Sequence, residues 1–399
     1  MIDSISYLLT CLALLLAIPV TTFLVEVVAA VALPQKDWSY LPSGNSCPRV
    51  AVLVPAHNEG KGLLPTLADI KPQLRVTDHI LVVADNCTDD TASIAASAGA
   101  DVIIRDEPLR KGKGYALAFG LRQLSLHAPD VIIVIDADCR LADGAIDRLA
   151  AVCMATHRPV QALDLMTAPA NSPVSFKVAE FAWRLKNWVR PLGLGALGLP
   201  CQLMGTGMAF PWDVIRSVDL DSGSIVEDIK LGHDLALAGT PPVFLRLPAV
   251  TSEFPVLAEA AETQQLRWQQ GHIRTILTAV PLLIFAAIRR ADLDLLALAF
   301  DIAVPPLSLL GILIFSVSIA ATLAAVLGLP STAMLISTLN LVAFLSSLIL
   351  AWWIYGRDIL PPRSILTLLD YAGNKLFFYR RMFFGVSARD WTRTDRRKE

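Results

Sequence analysis

Between Arg49 and about Pro255 the chain alternates short, almost wholly apolar runs with stretches whose apolar residues recur at helical spacing. The runs Val50–Pro55, His79–Ala84, Asp101–Arg105 and Val131–Asp136 have the length and β-branched content of strands buried on both faces. Between them, Leu63–Leu74, Thr91–Ala98, Gly114–Leu126 and Gly144–Ala155 read as amphipathic helices. This alternation predicts an α/β domain, 49–255, with a parallel-dominated sheet that takes ligands at the C-terminal edge of its strands.

The flanks follow another pattern. Ile5 to Leu33 is apolar except for Glu26, long enough for the roughly 20 residues of a membrane helix. Its start carries no Lys or Arg and its run exceeds a signal-peptide core of about 7–15 residues, which favours a retained anchor, 1–34. After the domain, segment 256–291 holds Gln264-x-x-Arg267-Trp268 and the apolar run Thr275–Ile288, whose shortness assigns it to the membrane interface rather than to a third span. Leu293–Leu327 and Thr332–Tyr355 then form a transmembrane hairpin, 292–356, about the turn Gly328–Ser331. Arg289, Arg290, Arg357 and Arg363 flank its other ends, so the positive-inside rule predicts a cytosolic α/β domain and an outside N-terminus. Asp301, beside Pro305-Pro306, is expected to face the protein interior. Val174–Val189 interleaves Phe176, Phe181, Trp183 and Trp188 with Lys177, Arg184, Lys186 and the adjoining Arg190, and is read as a helix on the membrane surface in preference to a sugar-stacking wall. The tail, 357–399, is basic (Arg380, Arg381, Arg389, Arg393, Arg396, Arg397, Lys398) and is read as solvated or interfacial.

Composition agrees with a partly lipid-embedded chain: 54% of residues are hydrophobic and the mean hydropathy is +0.54, above the roughly 45–50% apolar share of soluble domains. A net charge of −2 gives no bulk attraction to nucleic acid. The 6 cysteines lack Cys-x-x-Cys spacing or a partnering His pattern, which argues against a zinc site or disulfide framework and for a reducing compartment.

Candidate chemistry clusters after the strands. Ile132–Cys139 ends in Asp136 and Asp138, one residue apart and so on one face of an extended chain, where they can grip a divalent cation whose other ligands are phosphate oxygens. Pro55-Ala56-His57-Asn58-Glu59 follows the first strand and Asp85-Asn86-Cys87-Thr88-Asp89-Asp90 the second; three polar clusters after three strands converge on one crevice. Arg110-Lys111-Gly112-Lys113-Gly114 offers cations and close backbone approach to phosphate, but is neither a P-loop nor a Gly-x-Gly-x-x-Gly fingerprint.

The ordered set Pro55–Glu59, Asp85, Lys113, Asp136-x-Asp138, Gly205-Thr206-Gly207, Glu227-Asp228 and Gln264-x-x-Arg267-Trp268 resembles the membrane-integrated family 2 glycosyltransferases of GT-A fold, such as cellulose, hyaluronan and chitin-oligosaccharide synthases. The resemblance implies a nucleotide-sugar donor, UDP-linked, and a glycan or lipid-linked acceptor at a bilayer. It implies that Pro55, Ala56, His57, Asn58, Glu59 and Asp85 hold base and ribose, with Lys113, Asp136 and Gln264 also on the donor. Asp138, with Asp136, would ligate Mg²⁺ or Mn²⁺; Asp228, with Glu227, would supply the general base; Arg267 would face the leaving diphosphate. Gly205, Thr206, Gly207 and Trp268 would line the acceptor site. The chain departs from many relatives at Ala84, where a second Asp stands, and in having about three spans, which leaves processivity open. Two other readings compete with it. A haloacid dehalogenase-type phosphohydrolase also carries Asp-x-Asp, but after its first strand and with Thr or Val where Arg140 stands; a non-catalytic scaffold would not need every acidic motif residue.

Overall fold

The computed structural model describes residues 2–35, 38, 48–221, 223, 226–256, 258–362 and 368–384. The four expected strands form as β1 (Val50–Ala56), β2 (His79–Asp85), β3 (Asp101–Arg105) and β4 (Val131–Val134). They are mutually parallel, in the order β3-β2-β1-β4. Val50 to Val54 of β1 are at most 1% exposed, so both faces of this central strand must be apolar and the sequence shows a run instead of an alternation. Register sets Ala56 opposite Ala84, Asp85 opposite Arg105 and Leu53 opposite Val134, and the three following loops therefore leave from one edge. β4 ends before the predicted Asp136 because the Asp136 amide turns to Thr206 Oγ1 (3.1 Å).

The other half of the sheet was not legible beforehand. β5 (Arg140–Leu141), β6 (Val160–Thr167), β7 (Met208–Pro211) and β8 (Val243–Glu253) extend it to eight strands, with β7 and β5 antiparallel to their neighbours. β6 buries Gln161 and Asp164, which interrupt its apolar run, and β7 is only 4 residues long. Leu63–Leu74 is also not one helix: Leu64–Ile70 is flanked by 3₁₀ turns at Gly60–Leu63 and Lys71–Gln73.

Among the described residues 4 helices are long and apolar enough to cross a membrane, within Ile2–Ala32, Ala258–Arg290, Leu307–Val326 and Thr332–Tyr355. Two expectations need correction. Thr275–Ile288 is not a separate short segment but the C-terminal part of one 33-residue helix, Ala258–Arg290, that also carries Gln264, Arg267 and Trp268. The arm read as Leu293–Leu327 is broken into Leu293–Ala303 and Leu307–Val326, because Pro305 and Pro306 lack the amide donors a continuous helix needs. Arg363 and the tail cations from Arg389 onward lie outside the described residues.

One buried ionic cluster joins these helices to the domain. Arg190 Nε donates to Glu26 Oε2 of the N-terminal helix (2.6 Å) and its Nη2 to both the backbone oxygen (2.6 Å) and the carboxylate of Asp301, which also accepts from Gln202 Nε2 (2.6 Å). Glu26, Arg190 and Asp301 are no more than 4% exposed, so Asp301 does face the interior. Each charge depends on the others, since an unpaired ion there would keep its full desolvation cost. The helix Arg190–Ala196 comes so close that a Cβ on Gly193 would lie 1.9 Å from the backbone oxygen of Glu26. Gly193→Ala is therefore expected to destabilise the protein by about 1–3 kcal/mol through overpacking against backbone. Gly195→Ala, with nothing within 4 Å of the added methyl, should unfold at the wild-type temperature or above, as read by thermal scanning in detergent.

Candidate active site

The C-terminal ends of β1, β2 and β4 open on a cavity of about 1700 Å³. The loops around it are fastened to each other before any ligand arrives. Thr91 Oγ1 accepts the amides of Glu59 and Gly60 (both 2.9 Å), and Asn58 Oδ1 accepts the Thr88 amide (2.7 Å). Asn58 holds φ +55°, which asparagine tolerates better than most residues. His57 Nδ1 meets the Asp85 carbonyl at 2.6 Å. Pro55, Ala56, His57 and Glu59 line the cavity as expected; Asn58 instead fastens the two loops.

Asp85 also lines the cavity, held from behind by Arg105 Nη1 (2.5 Å) and Asn86 Nδ2 (2.8 Å). Burial pushes its carboxyl above the usual range against the pull of Arg105. Arg105 is 2% exposed and absent from the sequence-derived set. Its signal was a cation closing the strand Asp101–Arg105, which the register sets directly opposite Asp85.

Lys113 opens the helix Lys113–Leu124 and is the centre of the charge arrangement. Its ammonium pairs with Asp136 and donates to the Gly205 carbonyl (2.8 Å). Burial alone would lower its pKa, but Asp136, Glu227 and Asp228 together hold it well above the ordinary lysine value. Gly205 sits at φ +96°, and a Cβ there would be 3.5 Å from Asp228 Oδ2 and 3.6 Å from Lys113 Nζ, so the backbone runs close beside both groups. Thr206 and Gly207 do not face the cavity. Thr206 is buried and accepts the Asp136 amide, and Gly207 packs on Val250 and Ala162. Asp138 lines the cavity beyond Asp136, its turn held by Thr66 Oγ1 at 2.7 Å from the carbonyls of Ala137 and Cys139.

Glu227 and Asp228 begin the helix Glu227–Leu237 and face the same space. Burial and mutual repulsion raise Glu227 to about 7. Burial likewise raises Asp228, with Lys186 opposing it. Gln264, Arg267 and Trp268 close the side supplied by the helix Ala258–Arg290. The Trp268 ring lies 5.2 Å from that of Trp183. Val174–Val189, read from the sequence as a membrane-surface helix, also borders this cavity. The α-helix Val174–Arg184 and the π-turn Leu185–Val189 form the wall of the cavity, with Phe181, Leu185 and Val189 buried and Trp183 and Lys186 on its lining. Behind it Asp164, also missed, accepts from Asn187 Nδ2 (3.0 Å) and is raised to about 8 by burial and by Asp136.

Among the described residues no group of three His, Cys, Asp or Glu side chains could hold a metal. Asp136 and Asp138 therefore form an incomplete oxygen donor set. It suits a hard divalent cation that draws its remaining ligands from a bound phosphate ligand.

The family described as "Glycosyltransferase like family 2" matches residues 48–271. An uncharacterized glycosyltransferase of Mycobacterium tuberculosis is 37% identical over 102 residues, 26% of this chain and 42% of the relative. Glucosyl-3-phosphoglycerate synthase of the same organism is 33% identical over 95 residues, 22% of this chain and 28% of the relative. The chain thus spans less than half the length of these curated relatives. A mannosyltransferase from Pyrobaculum calidifontis, solved in complex with GDP-Man and Mn²⁺, shares the fold with a TM-score of 0.56 at 18% identity, over 87% of this chain and 99% of that one.

Arg105→Met should cost about 3–5 kcal/mol because it strands the buried Asp85 carboxylate. Adding Asp85→Asn to it should recover part of that loss in a denaturant titration. Additive losses would show that the pair is not a stabilising unit.

Proposed function

The chain belongs to the glycosyltransferase-like family 2, and on that premise we propose that it is an inverting, divalent-metal-dependent transferase embedded in a membrane. Its donor is a nucleotide sugar, UDP-linked in the first instance, taken from the cytosolic side. Its acceptor is a glycan or lipid-linked hydroxyl. The observation that carries this reading is the convergence of Asp136, Asp138, Lys113, Glu227 and Asp228 on one cavity. In the dehalogenase reading the Asp-x-Asp pair would follow the first strand, whereas here it follows β4.

The base and ribose lie against Pro55–His57 and Asp85, and the diphosphate beside Lys113. Asp138, with Asp136 next to it, would hold Mg²⁺ or Mn²⁺, which supplies positive charge to the diphosphate when bound. The fold shared with an enzyme solved with GDP-Man and Mn²⁺ supports that choice. A sugar hydroxyl is a weak nucleophile at neutral pH, so a carboxylate must take its proton as the bond to the anomeric carbon forms. Asp228 does this, its pKa lifted toward the working range by burial. As the new C–O bond forms on one side, the bond to the diphosphate breaks on the other and the nucleoside diphosphate leaves with the electron pair. The charge that grows there is met by Lys113 and Arg267. One displacement inverts the anomeric centre.

Asp228→Asn should lower turnover by at least about 10²-fold with nucleotide affinity unchanged, since general-base catalysis is worth 10²–10⁴. Retention of a tenth of wild-type turnover would remove Asp228 from the role. Asp138→Ala should weaken UDP or GDP binding in Mn²⁺ itself, measured calorimetrically; unchanged affinity would mean it is not a ligand. Because the base works only when deprotonated, activity should rise with pH along an acid limb above the ordinary carboxylate range, given Glu227 near 7 and a raised Asp228. Glu227→Gln removes one of two repelling carboxylates, so the limb of the residual activity should move to lower pH. An unmoved limb would separate Glu227 from the base.

A further inference from the structure

The cavity is larger than its donor requires. Ligand pockets commonly span about 300–1,000 Å³, and this one, about 1700 Å³, continues past Trp268 between the helices Leu307–Val326 and Thr332–Tyr355. Its far wall is apolar: Leu307, Ile312, Phe315, Ile319, Phe344 and Leu348. On that stretch Ser308 and Ser316 offer the cavity hydroxyls, and Ser308 is already bonded to Tyr379 (2.7 Å), so most hydroxyls of a bare glycan would lose water without replacement. Phe315 and Ile319 are 46% and 59% exposed, so the wall runs out onto the outer face of a helix long and apolar enough to sit in a membrane.

Lys186 also lines the cavity. The other cations on the lining are engaged: Lys113 with Asp136, Arg190 with Glu26 and Asp301, Lys375 with Gln265 and Arg381 with Glu262, while Arg267 lies in the field of Glu227. Lys186 makes no ion pair and no hydrogen bond with any described residue. Its ammonium lies over the Trp183 ring, 5.6 Å from Nζ to the centroid. It interacts through space with Asp228 and Asp164 on the catalytic side and with His272 and Asp301 on the membrane side. An ammonium left without a counter-ion in a desolvated wall is costly, and a ligand that brings an anion removes that cost.

Resting on the transferase reading above, we propose that the acceptor is a phosphate-bearing lipid whose phosphate sits at Lys186 and whose hydrocarbon tail lies along Leu307, Ile312, Phe315 and Ile319. The tail and the phosphate fix the molecule at two points, and its hydroxyl is thereby presented to Asp228 next to Trp268. The donor's own phosphates are held elsewhere, beside Lys113, Asp136 and Asp138.

The test is a fluorescence titration of the full chain in a neutral maltoside detergent with dodecyl phosphate, dodecanol and inorganic phosphate, read on the tryptophans of the cavity. A charge-assisted hydrogen bond predicts that dodecyl phosphate binds about 10- to 100-fold more tightly than dodecanol. That advantage should vanish in Lys186→Met and persist in Lys186→Arg. Equal affinity of the wild-type chain for dodecyl phosphate and dodecanol would overturn the inference without recourse to any variant. Equal affinity for dodecyl phosphate and inorganic phosphate would do the same, by showing a site for the free anion. UDP and GDP binding in Mn²⁺ on the same samples separates the two readings. Nucleotide binding that survives in Lys186→Met is expected, and its loss there would assign Lys186 to the donor. A wild-type chain that binds dodecyl phosphate but no nucleotide would defeat the transferase reading instead.

Discussion

The contact between Lys113 and Asp136 holds the catalytic half of this protein together. Four parallel strands deliver their loops to one edge, and the helix at Glu227 brings two more carboxylates to the same space. Acidic groups brought so close in a partly dry cavity repel each other unless a cation stands among them. Lys113 fills that place by bonding both Asp136 and the carbonyl of Gly205, which ties the end of β4 to the loop before β7. Glu227 and Asp228 remain raised because Lys113 compensates them only in part. That residual elevation is what a base near neutral pH requires.

A second constraint governs how the domain meets the apolar helices. Arg190, on the segment that follows the cavity wall, is neutralised by one carboxylate from the N-terminal helix and one from Leu293–Ala303. The wall itself, Val174–Val189, precedes Arg190 directly and lines the same cavity as the carboxylates Glu227 and Asp228 and the apolar helix Leu307–Val326. The catalytic crevice and the apolar groove form one continuous space for that reason.

Parts of this were legible in the sequence and parts were not, for physical reasons. β1, β2 and β4 announced themselves because central parallel strands are buried on both faces and leave unbroken apolar runs, whereas β3, at the edge of the sheet, is partly exposed with Ile104 68% open to solvent. β6 hid because it carries Gln161 and Asp164 inward, where each is satisfied by a partner far away in the chain: Gln161 by the Met204 amide and Thr206 carbonyl, Asp164 by Asn187. The acidic motifs were visible since their spacing carries their chemistry. Arg105 was not, because a lone cation gains meaning only from what the fold sets beside it, and Trp183 and Lys186 stood out only as members of an aromatic and basic stretch whose neighbours the sequence does not show. The helix Val174–Arg184 shows the limit most clearly. Its alternation of aromatic and basic residues fits a membrane surface and a cavity wall alike, and only the fold sets Trp183 and Lys186 on the cavity lining.

The central claim is that one carboxylate-assisted displacement joins donor to acceptor. Proton NMR of the anomeric centre in the first product formed from an α-linked nucleotide sugar tests it directly. A single displacement gives a β-linked product from the earliest turnover; an α-linked product at that stage would contradict it.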